Sequence, residues 1–112
     1  MSIPFECNNL EQVRAQIDRL DTQIVELIAE RTTYVIQAAK FKKTKENVRV
    51  PKRIEEIIDR VRTLAHQFNL NPDVIDSIYR HIIETSIEEE RRNWDLIRSG
   101  LNEKIIRQRN RP

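Results

Sequence analysis

The stretch Leu10-Glu-Gln-Val13-Arg14-Ala-Gln-Ile17-Asp-Arg-Leu20-Asp-Thr-Gln-Ile24-Val-Glu-Leu27-Ile-Ala-Glu-Arg31-Thr-Thr-Tyr34-Val-Ile-Gln-Ala38-Ala-Lys-Phe41 decides the fold. Leu10, Val13, Ile17, Leu20, Ile24, Leu27, Arg31, Tyr34, Ala38 and Phe41 recur at alternating steps of three and four. That spacing gathers them on one face of a helix that packs against other helices. No proline or glycine interrupts the run, which gives a helix of about 32 residues, roughly 48 Å long. Asn9 is placed to cap it, with Gln12 at the third helical position as in a capping box. A helix of this length cannot bury its own seam and requires partners of similar length. One seam position is anomalous: Arg31 stands where a leucine belongs. A guanidinium keeps its charge, and an unpaired charge in such a seam costs about 3–5 kcal/mol. An anion must therefore meet Arg31, either a protein carboxylate or a ligand.

Beyond this helix the chain contains two more. Pro51 suits the first turn of a second helix, whose apolar face is Ile54, Ile57, Ile58, Val61, Leu64, Ala65 and Phe68. Asn71-Pro72-Asp73 combines a cap, a first-position proline and a first-turn acid, and starts a third. Its stripe runs Ile75, Ile78, Tyr79, Ile82, Ile83, Ser86, Ile87, Glu90, Trp94 and Ile97, and Gly100 is a plausible stop. Between the first two helices, residues 43–50 lose the periodicity and carry dense charge, which reads as a mobile loop. The fold class is all-α: three helices, long, medium and long.

Composition narrows the possibilities. The chain has 112 residues, about a third of them charged, few aromatics and one glycine. That suits one helical domain and disfavours sheet-rich or glycine-loop folds. No apolar run is long enough to span a membrane, and the N-terminal residues lack the pattern of a signal peptide. A single cysteine, Cys7, cannot close an internal disulfide, so a reducing cytoplasm is the expected compartment and the thiol is read as inert. The formal net charge of +2 divides unevenly, since Lys104, Arg107, Arg109 and Arg111 against Glu103 leave the tail 101–112 at +3. We therefore divide the chain into a helical domain, 1–100, and a basic tail, 101–112. Without an interleaved aromatic or a recognition helix, the tail does not make a nucleic-acid-binding protein. His66 and His81 have no carboxylate or cysteine at ligand spacing, so neither a metal nor a cofactor is expected.

The polar residues in the helical seams carry the chemistry. Lys42 follows Arg31 by eleven residues, about three turns and some 16 Å, and points in nearly the same direction. Arg53 lies in the first turn of the second helix, where free backbone N–H groups favour an anion. Arg14 is roughly 25 Å from Arg31, so if both touch one small ligand Arg14 must come from a second copy of the chain. Ser86 and Glu90, four apart, share one surface of the third helix. Each has an ordinary structural reading as well. Arg31 can pair with Glu90 in a buried bridge, and Lys42 and Arg53 can be surface charges. Arg14 can lie along the helix edge, and Ser86 can bond its own backbone. Together, four cations facing one carboxylate describe a site that receives negative charge. The contrasting reading is a non-catalytic helical dimerisation module in which an Arg31–Glu90 pair fixes register.

Five segments resemble the all-α chorismate mutase family: Val13-Arg14-Ala-Gln-Ile17-Asp18-Arg-Leu20-Asp21, Ala29-Glu30-Arg31, Ala39-Lys40-Phe41-Lys42, Val50-Pro51-Lys52-Arg53 and Ile82-Ile83-Glu84-Thr-Ser86-Ile87. The resemblance covers about residues 6 to 98. It implies an intertwined homodimer with two equivalent sites and a dicarboxylate substrate, chorismate or isochorismate. In each site Arg31, Lys42, Val50, Arg53, Ser86 and Glu90 would come from one subunit and Arg14 from the other. By the same resemblance, Arg14 and Arg31 clamp carboxylates, Arg53 and Ser86 support that grip, and Lys42 and Glu90 donate to the ether oxygen. Two positions depart from the mutase pattern. Many bacterial relatives have glutamine at position 90, and many mutases have glutamate at position 54, where this chain has Ile54. Ile54, with Glu6-Cys7, Tyr34-Val35 and Trp94, is similar to the isochorismate-pyruvate lyase branch, whereas Ser86 is similar to the mutases. Of the two, mutase is the reading taken, with the lyase as its alternative.

Overall fold

A computed structural model describes residues 5–100, and the basic tail lies outside them. Three α-helices account for most of these residues: α1 (Leu10–Ala38), α2 (Pro51–Gln67) and α3 (Pro72–Arg98). The chain divides into two compact units, one ending at Thr32 and the other beginning at Thr33.

The first unit is the leading part of α1. Its start is fixed as the sequence predicts, because Asn9 Oδ1 accepts from the Gln12 N–H at 2.9 Å. The reciprocal bond is displaced by one residue: Gln12 Oε1 accepts from the Asn8 N–H at 2.8 Å. The seam residues Leu10, Val13, Ile17, Leu20, Ile24 and Leu27 are 39–66% exposed in the isolated chain. The first unit thus carries a continuous apolar face.

The second unit is a helical hairpin with two short 3₁₀ turns laid on it. The α-helical hydrogen bonding of α1 ends at Ala38, and Ala39–Phe41 tighten into the first 3₁₀ turn, three residues before the helix end expected from the periodicity. Residues 43–50, expected to be a mobile loop, contain local structure. Glu46–Val48 form a second 3₁₀ turn, and Val48 is buried against Ile57, Ile58, Val61, Ile83 and Ile87. Of the two valines in that charged segment, Val48 has a place in the core while Val50 stays exposed, and burying Val48 orders the backbone around it. Arg49 reinforces this by a two-pronged contact with Glu84 at 3.0 and 2.5 Å.

Helices α2 and α3 pair through the apolar stripes read from the sequence, with Ile54, Ile75 and Tyr79 flanking the buried cluster. The turn between them is built at both ends. Asn69 adopts a left-handed φ of 57°, and the Leu70 N–H returns to Ala65 O at 2.8 Å, closing α2 with a Schellman motif. Asn71 then caps α3 by accepting from the Asp73 N–H at 2.9 Å, with Pro72 in the first position. At the far end Gly100 has φ 80° and donates to Ile97 O, the stop expected there.

Candidate functional site

Lys42 and Glu90 meet in the second unit. Helix α3 brings Ser86, Glu90, Trp94 and Arg98 onto one stripe, each four residues from the last and so about 6 Å apart along the axis. Lys42, just past the first 3₁₀ turn, faces this stripe. Its Nζ lies 3.6 Å from Glu90 Oε2 and donates to Asn47 O at 3.4 Å. Glu90 is 7% exposed, among the few buried polar residues of the described chain. Its Oε2 is buried and lacks a hydrogen-bond partner among the described residues, because 3.6 Å is an ionic contact rather than a hydrogen bond.

Removal from water dominates the electrostatics of that carboxyl. Burial pushes the Glu90 carboxyl above its ordinary value, and the Lys42 ammonium draws it part of the way back. An acid of this kind holds its proton to higher pH than a surface glutamate. Protonated, it is a hydrogen-bond donor beside a cation, so an electron-rich oxygen entering between Oε2 and Nζ would meet two donors.

The other expected residues lie as follows. Ser86, half-buried one turn before Glu90, donates its hydroxyl to Ile82 O at 2.7 Å, the bond a helix serine ordinarily makes. Val50 is the residue before α2, partly exposed. Arg53 is exposed in the first turn of α2, 3.7 Å from Glu56, a surface ion pair of small energetic consequence. Arg14 is exposed and Arg31 half-buried, both on the part of α1 that belongs to the first unit.

Two residues beside Lys42 escaped the sequence reading as site residues. The Trp94 indole N–H donates to the Lys42 carbonyl oxygen at 3.1 Å. The Arg98 guanidinium donates to the same oxygen and lies over the Trp94 ring, 4.8 Å from its centre. The available signal was the four-residue spacing that continues Ser86 and Glu90 into Trp94 and Arg98. Read alone, Trp94 looks like core packing.

Comparisons with known proteins identify a family. The family model described as chorismate mutase type II matches residues 13–91. The isochorismate pyruvate lyase of Pseudomonas aeruginosa is 28% identical over 94 residues, which is 84% of this chain and 93% of that protein. The chorismate mutase of Methanocaldococcus jannaschii is 32% identical over 76 residues, 67% of this chain and 77% of that one. A bifunctional chorismate mutase/prephenate dehydratase of Buchnera aphidicola is 31% identical over 81 residues, and the match spans 21% of its length.

Proposed function

The chain belongs to the type II chorismate mutase family, and on that premise we propose that it rearranges chorismate to prephenate in a site shared by two subunits. The observation that carries the proposal is the contact of the half-buried Lys42 with the buried Glu90, whose Oε2 lacks a hydrogen-bond partner among the described residues. A pericyclic rearrangement needs no nucleophile and no covalent intermediate. It needs the substrate held folded and negative charge stabilised where it develops. As the ether C–O bond breaks and the new C–C bond forms, charge builds on the ether oxygen. Lys42 Nζ and the protonated Glu90 carboxyl supply the two donors for that oxygen.

The remaining cations take the two substrate carboxylates. Arg31 and Arg14 clamp them, Arg53 and Ser86 support the grip, and Val50 lines the site. Arg14 reaches it from a second copy, since about 25 Å of helix separates it from Arg31 in one chain. The exposed seam of α1 supports this assembly: six apolar side chains in one uninterrupted row are the kind of face a symmetric dimer covers. No helix among the described residues is long and apolar enough to cross a membrane. A water-soluble enzyme of the cytoplasm fits that finding and the single cysteine.

A specific observation favours a second reading. The lyase match covers 84% of this chain and 93% of that protein, and Ile54 sits against the apolar cluster where a mutase-type glutamate would offer a polar contact. The same cationic site would then eliminate pyruvate from isochorismate to leave salicylate. The two readings separate cleanly when pure protein is given chorismate and isochorismate in turn. Prephenate from chorismate, faster than salicylate and pyruvate from isochorismate, is the expected result. The opposite order makes the chain a lyase, and turnover of neither returns it to a non-catalytic dimerisation module.

A further inference from the structure

We infer that Trp94 and Arg98 are positioning residues, a two-donor clamp on the Lys42 carbonyl that fixes where the Lys42 ammonium stands relative to Glu90. This inference rests on the proposed role of Lys42. Lysine is poorly suited to hold a defined position: four rotatable bonds separate its Nζ from its Cα, and an unanchored main chain adds two more torsions. Here the main chain is anchored on both sides. The Lys42 N–H donates to Ala39 O at 3.3 Å, closing the first 3₁₀ turn on the fully buried Ala39. Its carbonyl accepts from both the Trp94 indole at 3.1 Å and the Arg98 guanidinium.

The arrangement on α3 gives these bonds their meaning. Glu90 receives the ammonium, and Trp94 and Arg98, one and two turns further on, hold the carbonyl. A single rigid helix therefore references both ends of the lysine, and its reach is fixed relative to the carboxyl it must work beside. The Arg98 guanidinium over the Trp94 face keeps the indole aimed, so the donors support one another. Lys45, three residues on, meets Asp95 at 2.6 Å, but that pair is exposed and contributes little.

The clamp touches no substrate, so its removal degrades the transition state more than ground-state binding. Trp94→Phe keeps the ring and deletes the N–H, and Arg98→Gln removes the guanidinium from an exposed position. Steady-state kinetics on chorismate and isochorismate would be run on both variants and on Lys42→Ala, with thermal midpoints to verify folding. Each clamp variant should lower kcat by about 3- to 30-fold with KM within about twofold, and the double variant should fall further. Unchanged kcat in both clamp variants, or a KM that rises while kcat holds, overturns the inference. If Lys42→Ala loses turnover while the clamp variants keep theirs, the clamp fails and the catalytic assignment stands. If Lys42→Ala is itself fully active, the assignment of Lys42 fails and the clamp with it.

Discussion

In the proposed mechanism Glu90 is the residue whose chemical state matters most, because its two forms would do opposite things at an oxygen that is gaining negative charge. Protonated, it donates; ionised, it repels. Burial raises its pKa and Lys42 opposes that rise, so the donor form persists above the range of a surface glutamate. Turnover should therefore decline as pH rises through the Glu90 pKa in the complex. Glu90→Gln, which donates at every pH, should flatten that limb, and a pH–rate profile identical in the two proteins contradicts the assignment. Some of this site was legible in the sequence. Ser86 and Glu90 interrupt an apolar stripe four residues apart, and Lys42 lies three turns from an arginine in a seam. The carbonyl bonds of Trp94 and Arg98 were not legible, because they depend on where residues 39–42 leave the helical path. Nothing in the residue types announces that the backbone there tightens from α to 3₁₀.

At the scale of the element, the α2–α3 hairpin owes its stability to a narrow core. Ile58 is 2% exposed and lies at its centre, so Ile58→Ala should destabilise the protein by about 2–5 kcal/mol in urea melts. Loss below about 1 kcal/mol would show that the packing described is not what holds the hairpin. Charged contacts add a pH dependence of opposite sign to that of Glu90. Arg80, and then Arg62, hold the Asp76 carboxyl below its ordinary value, and Arg49 does the same for Glu84. Groups depressed on folding contribute stability that is complete above their unfolded pKa and lost as pH falls through the folded value. The thermal midpoint should therefore drop on acidification from about pH 5 downward, and less steeply in Asp76→Asn. An equal slope in the variant would remove Asp76 from the account. Periodicity marked these helices well, since Ile57, Ile58, Val61, Ile83 and Ile87 all recur at helical spacing. It failed for residues 43–50, where only Val48 of the two valines is buried, and one buried residue sets no period.

In the whole molecule, the long helix is the element that a single chain does not explain. Its seam is regular, apolar and exposed, and it carries Arg14 and Arg31, while Lys42 and Glu90 lie together in the other unit. A dimer that buries the seam and completes each site with the other copy's Arg14 accounts for both facts. The most direct test is subunit complementation. Arg14→Ala and Lys42→Ala, each purified and nearly inactive alone, would be mixed, unfolded and refolded together, and assayed on the preferred substrate. In a mixed dimer one site carries both lesions and the other carries neither. Random pairing should thus restore about a quarter of the wild-type activity, and a mixture no more active than the separate variants would contradict a site shared between two chains.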